Sequence, residues 1–236
     1  MLRASAWKHE NLQQGLGSFN TMAFDGRFFY FADGEYIYIY SKDFTPINRK
    51  KSPIKIAALC YDNSDNCFWA SAGEKGEILR LSRRFEITQR IAADNEAIFG
   101  LSYFCAHDTL LAAHKRAILE ICKHGKWRGI PVVPGNVLSI APYFAVLHDN
   151  FIHFYDPGFN VHSSLEIPPE YSVRDILFYP AENQLLALAH SAFRKAPVIL
   201  RHAMPCMEVC ECNYVFGCNC DGDDLCDWLV RGSSEW

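Results

Sequence analysis

The chain has 236 residues, of which 50% are hydrophobic, 14% aromatic and 21% charged, and its formal net charge is −4. This hydrophobic content excludes a disordered chain, and the near-neutral charge argues against a general polyanion binder. No apolar run approaches the roughly 18 residues of a membrane-spanning helix, and the N-terminus turns polar before a signal-peptide core develops. We therefore expect a soluble cytoplasmic protein that binds neither nucleic acid nor membrane.

From residue 20 onwards the predicted elements are short strands, because apolar runs alternate with turn residues and lack the 3.6-residue period of a helix. The first three runs lie at residues 21–24, 28–32 and 36–40. Tyrosine and isoleucine packed this densely favour a pleated strand. Asp33 and Gly34, between the second and third runs, are a strong signal for a hairpin.

The same hairpin recurs four more times along the chain. Its second and third strands are predicted at 68–72 and 77–81, 110–113 and 117–121, 143–147 and 151–155, and 185–189 and 198–201. An apolar first strand precedes each hairpin, at 56–61, 98–103, 137–141 and 173–179. A more polar fourth strand follows in several units, as at 85–91 and 161–167.

Four short strands repeated about every 40 residues predict the blades of a β-propeller. We therefore predict an all-β propeller of five four-stranded blades over residues 20–204. A further strand must close the ring, because an open edge invites aggregation. Residues 2–7 or residues 207–212 could supply this strand, or the N-terminal segment (1–19) and the tail (205–236) could together form an irregular sixth blade.

The composition changes near Pro205, where we place the boundary of an acidic tail. Residues 206–236 hold seven acids and one base, which gives this segment a charge of −6 and leaves +2 for residues 1–205. Six of the ten cysteines also lie in the tail. The other four fall within or beside predicted strands, where a thiol acts as a small hydrophobic group: Cys60, Cys67, Cys105 and Cys122.

Two closely spaced pairs in the tail, Cys210 with Cys212 and Cys218 with Cys220, are candidate zinc ligands. Side chains at i and i+2 of a strand share a face, so each pair places its sulfurs on one side. If residues 213–217 form a hairpin turn, the two pairs face each other about 5 Å apart. Four thiolates in this arrangement could hold a tetrahedral zinc ion, although the spacing differs from a Cys-x2-Cys knuckle. Cross-strand disulfides and free thiols are the alternatives.

Three histidines occupy one repeat position, directly after the second strand of their blades: His114, His148 and His190. Equivalent positions in a propeller lie on a circle on one face, so these imidazoles are candidates for a ligand or metal site at the rim. The alternative is that a polar turn-forming residue simply belongs to the repeat. The distance between blades favours this alternative over a shared metal ion.

Basic residues cluster at 49–51 with Lys55, at 83–84 and from 123 to 128. A nucleic-acid interface needs a continuous basic stripe with stacking aromatic residues. The aromatic residues here fall at alternating strand positions that are typical of a core. We therefore interpret the basic clusters as solvated faces, and the acids at 221–224 as an acidic turn rather than a calcium loop.

The second unit carries a resemblance to a known repeat. The segments Leu59-Cys-Tyr-Asp-Asn-Ser-Asp-Asn-Cys-Phe-Trp-Ala70 and Ile78-Leu-Arg-Leu-Ser82 resemble the repeat of WD40-like and YVTN-like β-propellers. Similar repeats occur in bacterial propellers, some of them also rich in cysteine. The Gly-His and Trp-Asp dipeptides of WD40 blades are absent in register. The resemblance covers about residues 20–202, and it implies a propeller fold and a binding role but no catalytic residue.

We expect a non-enzymatic binding scaffold that engages a protein partner through rim loops such as residues 62–66, with a small molecule or a carbohydrate as other ligands to consider. No phosphate-binding glycine loop, nucleophile elbow or His-Glu-x-x-His motif occurs, and no catalytic residue is predicted. One alternative is a lyase or hydrolase with its site in the channel, where Asp175 is the main polar first-strand residue. The other is a structural protein of a disulfide-linked surface or spore layer.

Overall fold

The computed structural model describes residues 7–12, 19–72, 76–92, 96–105, 107–140, 143–156, 158–191 and 197–204. Within these ranges the chain forms β-strands and one short 3₁₀ turn, Pro180–Glu182. The strands make five four-stranded antiparallel sheets arranged as a five-bladed β-propeller. The predicted all-β fold is therefore confirmed, with five blades.

Each blade is a simple meander of consecutive strands, except the last. Blade 1 consists of β2 (Thr21–Phe24), β3 (Phe29–Ala32), β4 (Tyr36–Tyr40) and β5 (Pro46–Lys51). Blade 2 consists of β6 (Ala58–Asp62), β7 (Cys67–Ser71), β8 (Glu77–Leu81) and β9 (Ile87–Ala92). Blade 3 consists of β10 (Ile98–Phe104), β11 (Thr109–His114), β12 (Ala117–Cys122) and β13 (Trp127–Ile130).

Blade 4 consists of β14 (Asn136–Ile140), β15 (Tyr143–His148), β16 (Phe151–Tyr155) and β17 (Val161–Glu166). Blade 5 combines both ends of the described chain. It consists of β18 (Tyr171–Tyr179), β19 (Gln184–Ser191), β20 (Pro197–Ala203) and, as its outer strand, β1 (Lys8–Asn11).

The first strands surround the central axis, and the fourth strands form the outer edges. Each first strand contacts the first strand of the next blade, and β18 contacts β2, so the ring is closed. Because neighbouring strands run in opposite directions, the turns between second and third strands lie on one face, together with the segments that link the blades. We call this the upper face. The turns between first and second strands and between third and fourth strands form the lower face.

The N-terminal segment closes the ring non-covalently. Strand β1 pairs antiparallel with β20 and so covers the outer edge of blade 5. Next to it, Trp7 Nε1 donates a hydrogen bond to the carbonyl oxygen of Glu166 in blade 4 at 2.9 Å. The Trp7 ring also packs against His202, with 5.0 Å between ring centroids. The closing strand therefore directly follows residues 2–7, whereas residues 207–212 lie outside the described residues.

The hydrophobic core is divided among the interfaces between neighbouring blades. Side chains of blades 1 and 2, for example, form one cluster that includes Tyr30, Leu59 and Phe68. Most aromatic residues at alternating strand positions are buried as predicted, and the largest of these include Trp69 and Phe154. Each interface buries apolar side chains from two sheets, so a blade is stable only beside its neighbours.

The turns between third and fourth strands repeat one backbone feature. Phe44, Phe85 and Phe159 have φ angles of +56°, +65° and +65°, and Gly125 has +89° at the equivalent position. In all four turns the N–H of this residue donates to the carbonyl oxygen three residues earlier. A left-handed backbone costs a residue with a side chain roughly 1–2 kcal/mol. The three phenylalanines must therefore gain stability from packing.

Phe85 shows where that stability comes from. Its ring lies 5.2 Å from the ring of Phe68 in its own blade and 5.9 Å from Tyr30 in blade 1, measured between centroids. The turn thus inserts an aromatic ring between two blades. Burial of such a ring is worth more than the strain of the backbone.

Replacing Phe85 tests this interpretation. Phe85→Gly tolerates the positive φ but empties the space between blades 1 and 2, so we expect the free energy of unfolding to fall by about 2–4 kcal/mol. Gly125→Ala is the control, since its Cβ would meet only Ile91 Cγ2 at an ordinary 3.5 Å, and we expect a cost of about 1 kcal/mol. Urea unfolding measures both, and equal costs would show that the ring does not stabilise the interface.

Candidate functional site

The central channel is closed by its own side chains. The first strands enclose a cavity of about 70 Å³, and Leu59, Leu101 and Val137 are among the residues that line it. Cys60 also lines it, and burial raises the pKa of this thiol well above its usual value, which keeps it neutral. Among the described residues that line the cavity, Asp175 is the one carboxylic acid.

Asp175 is fully enclosed and accepts four hydrogen bonds. Its Oδ2 accepts from Thr21 Oγ1 at 2.6 Å and from the N–H of Met22 at 2.8 Å, both in blade 1. Its Oδ1 accepts from the N–H of Ile176 at 2.9 Å and from Asn136 Nδ2 of blade 4 at 3.0 Å. Both oxygens are therefore occupied by donors from three blades. Burial raises the pKa of Asp175 to about 7, although these hydrogen bonds oppose the shift.

Asn136 extends this network between blades 3 and 5. Its Nδ2 also donates to the carbonyl oxygen of Arg174 at 2.7 Å. On the other side it lies against Gly100 in blade 3, where a Cβ would come within 2.1 Å of Asn136 Oδ1. Glycine at position 100 is therefore required for the approach of blade 4 to blade 3.

Two hydroxyl groups complete the circle of contacts. Thr21 Oγ1 accepts from the N–H of Leu59, which joins blade 1 to blade 2 at 3.0 Å. Ser71 Oγ donates to the carbonyl oxygen of Ile98, which joins blade 2 to blade 3 at 2.8 Å. Polar side chains thus connect all five blades near the axis. We call these residues the polar girdle: Thr21, Ser71, Asn136 and Asp175.

A wide funnel of about 540 Å³ opens above the girdle on the upper face. Asn136 lines the funnel and Asp175 lines the inner cavity, so the girdle lies between the two spaces. The other lining residues include Asn20, Phe99, Pro134, Leu147, His148, Asp149, Val173 and Arg174. The volume falls within the range of about 300–1,000 Å³ that is typical of ligand sites.

Two lining side chains come from β-bulges. The pairing of β10 with β11 skips Phe99, and the pairing of β18 with β19 skips Arg174. Each is the extra residue of its strand, and each is exposed, Phe99 to 41%. Bulges often re-aim a side chain beside a functional site. The funnel therefore presents an aromatic ring and a guanidinium group that the regular strands would not place there.

The three rim histidines lie at the upper ends of second strands, but they do not form one site. Of the three, His148 alone is among the described residues that line the funnel, and its Nδ1 donates to the carbonyl oxygen of Pro134 at 2.8 Å. His114 is buried with its Nδ1 at 3.1 Å from Glu96 Oε2, and His190 Nε2 lies 3.5 Å from the carbonyl oxygen of Phe19. Each ring thus contacts a segment that leads into a first strand.

The loop of residues 62–66 lies on the opposite, lower face. Lys123 of blade 3 reaches into it, with its Nζ at 2.8 Å from Asp62 Oδ2 and 3.2 Å from Asp65 Oδ2, and also at 2.6 Å from Asp108 Oδ1. Burial by itself lowers the pKa of Lys123, but these carboxylates raise it above its usual value. Interpreting residues 123–128 as a solvated face was therefore wrong for Lys123, whose side chain is only 13% exposed because it joins two blades.

Asp62, Asp65 and Cys67 form the one cluster with the spacing of metal ligands among the described residues. Two cationic side chains already occupy it, because Arg80 contacts Asp65 Oδ2 at 3.0 Å and Cys67 Sγ at 3.2 Å, beside Lys123. Burial raises the pKa of Cys67 despite this hydrogen bond from Arg80. We interpret the cluster as an ionic link between blades.

The predicted zinc ligands Cys210, Cys212, Cys218 and Cys220 lie outside the described residues, and zinc stays a prediction. The four described cysteines form no disulfide with one another.

The described part of the chain contains no helix that is long and apolar enough to cross a bilayer.

Similarity to one solved structure, a glutaminyl cyclase, supports the fold. No family model and no curated protein sequence matches the chain. The glutaminyl cyclase of Myxococcus xanthus has a similar structure, with a TM-score of 0.64 and 11% identity over 83% of this chain and 94% of that one. A streptogramin B lyase gives a TM-score of 0.49 at 14% identity, covering 82% of this chain and 67% of that one. The virginiamycin B lyase of Staphylococcus aureus gives 0.48 at 14% identity, covering 85% and 74%.

The titration of Asp175 gives a test of the girdle. The folded chain keeps a proton on this carboxyl up to about pH 7, whereas an unfolded aspartate releases it near pH 4. The stability contributed by Asp175 is therefore largest below about pH 4 and falls as the pH rises to about 7. In Asp175→Asn the position does not titrate, so the stability advantage of the wild type over this variant should be larger at about pH 5 than at about pH 8.

Urea unfolding of both proteins at the two pH values measures this difference, and all other groups cancel in the comparison. An advantage that stays constant or grows with pH would contradict a raised pKa at Asp175. It would instead indicate that the four donors hold the carboxylate charged in the folded chain.

The ionic link at Lys123 gives a second stability prediction. Lys123→Met keeps the length of the side chain but leaves the buried Asp62 without its cation, so we expect a loss of about 3–5 kcal/mol in the free energy of unfolding. Lys126→Met, in the same turn but at an exposed position, should change it by less than about 0.5 kcal/mol. Thermal or urea unfolding compares the two, and similar values would show that Lys123 is a surface charge.

Proposed function

We propose that this chain is a non-enzymatic binding protein that engages a protein partner with its upper face, at the funnel. The observation that supports this most directly is the pair of bulged residues, Phe99 and Arg174, which project exposed side chains into one concavity. Aromatic and arginine side chains are the residue types that most often anchor protein interfaces. A closed channel beneath the funnel gives these anchors a rigid base.

The lyase or hydrolase alternative needs a reactive group at the channel. Asp175 was its best candidate, but each oxygen of this carboxyl accepts two hydrogen bonds from the protein. A general base must instead offer an oxygen within reach of the substrate. Propellers serve both enzymes and scaffolds, so similarity to a cyclase bears on the fold and leaves the function to the site.

The upper face differs from the binding surface that we expect from the sequence, which is the rim loop at residues 62–66. That loop is held by Lys123 and Arg80 through ion pairs with Asp65, so changing its sequence would weaken the contact between blades 2 and 3. The upper face offers residues whose replacement leaves these links intact. It is therefore the better place to separate binding from stability.

Capture of partners by the tagged, purified chain tests the proposal. We expect Phe99→Ala and Arg174→Gln each to reduce the captured partner by about fivefold or more, because truncating an interface anchor costs at least about 1 kcal/mol. Trp127→Ala and Arg84→Gln are the matched controls. They remove an aromatic residue that is 50% exposed on the outer edge of blade 3 and an exposed arginine on the lower face.

Quantitative mass spectrometry of the captured proteins provides the measurement. Loss in both funnel variants with retention in both controls supports the upper face. Equal capture by all four variants, or loss only in the controls, contradicts it.

A further inference from the structure

We infer that the funnel recognises a carboxylate group that is flanked by an apolar side chain and a secondary amide, the combination found at the C-terminus of a polypeptide and in N-acylated amino acids. The inference rests on the proposed function in one respect, which is that both use the same funnel. Three lining residues carry it, and each supplies a different part of the recognition: Arg174, Phe99 and His148.

Arg174 supplies the charge. Its side chain is exposed and forms no ion pair with a described carboxylate, whereas Arg80, Arg83 and Arg201 are all paired. A guanidinium group binds a carboxylate through two parallel hydrogen bonds, which makes it the most suitable side chain for this planar anion. The bulge at Arg174 keeps it at the mouth of the funnel while the next residue, Asp175, points into the girdle.

Phe99 supplies an apolar surface for the ligand's side chain. It is 41% exposed although it belongs to an innermost strand, and Pro134, Leu147 and Val173 line the same funnel. Leaving a phenyl ring in water is unfavourable by about 25 cal/mol for each Å² of apolar area. A ligand that covers this ring therefore gains affinity without any change in the protein.

His148 supplies a hydrogen-bond acceptor. A carbonyl oxygen can only accept, so the bond to Pro134 fixes the proton on Nδ1. In the neutral ring Nε2 then carries the lone pair, and the side chain is 40% exposed where it lines the funnel. Either this nitrogen or the Asp149 carboxylate, whose Oδ2 lies 3.6 Å from it, can accept an amide N–H of the ligand. Cation, aromatic ring and acceptor together match the carboxylate, side chain and amide of a chain terminus.

A second charged side chain in the funnel disfavours a phosphate dianion more than a monoanion. Asp149 also lines it, is 85% exposed, and has its Oδ2 at 3.6 Å from His148 Nε2. Arg174 and Asp149 together have no net charge, so an anion is held by direct contact with the guanidinium group, and the carboxylate repels a dianion more strongly than a monoanion. Inorganic phosphate is therefore a control ligand for the experiment.

Calorimetric titration with a matched pair of probes tests the inference on the full chain. N-acetyl-phenylalanine carries all three groups, and N-acetyl-phenylalaninamide lacks only the charge. We expect the acid to bind at least about tenfold more tightly than the amide, which corresponds to one charge-assisted contact. Arg174→Gln should remove this preference, Phe99→Ala should weaken both probes equally, and Arg84→Gln should change neither.

Further titrations distinguish the two sources of the carboxylate, a protein C-terminus and a small acid. A tetrapeptide that ends in phenylalanine with a free carboxyl group should bind more tightly than its amidated form if the ligand is a protein terminus. Binding of the acetylated amino acid but not of the tetrapeptide assigns the funnel to a small acid. That result would overturn the proposed protein-binding function and support the carboxylate inference.

Three results would overturn the inference itself. They are equal binding of acid and amide, no binding of either, and tighter binding of inorganic phosphate. If partner capture still depends on Phe99 and Arg174 in that case, the proposed function stands and the ligand class is wrong.

Discussion

The carboxyl group of Asp175 joins three of the five blades, and the arrangement of the molecule around its axis depends on this contact. A group that is fully buried must have its hydrogen bonds satisfied, and Asp175 achieves this with donors from blades 1, 4 and 5. With Thr21, Ser71 and Asn136 it fixes how the first strands meet. The channel is thereby narrowed to a small cavity, and a wider funnel opens above it.

Much of the fold could be predicted from the sequence, because apolar alternation and turn residues repeat with the period of a blade. The strand that closes the ring could be predicted only as one of several alternatives, because residues 8–11 have no apolar pattern. Pairing with β20 holds this strand in place. The turns at Phe44, Phe85 and Phe159 were missed for a different reason. A phenylalanine in a turn suggests no left-handed backbone, and only packing between blades explains it.

The candidate site was predicted less well than the fold. The sequence singles out Asp175, but three of its four hydrogen-bond partners lie far away along the chain, and these contacts depend on tertiary structure. The exposure of Phe99 and Arg174 could not be predicted from the sequence. A bulge changes the strand register by one residue, which leaves only a weak break in the alternation of apolar and polar residues. Lys123 was misjudged because its neighbours in sequence are solvated bases, while its carboxylate partners belong mainly to another blade.

We propose that the funnel binds the partner, while the girdle beneath it supports the fold. Hydrogen–deuterium exchange of the chain with and without its captured partner measures this most directly, since it reports every backbone amide at once. We expect slower exchange at residues 96–100, 134–136, 147–150 and 173–175 when the partner is bound. Protection confined to the lower-face turns, at residues 41–45, 82–86 and 122–126, would contradict it.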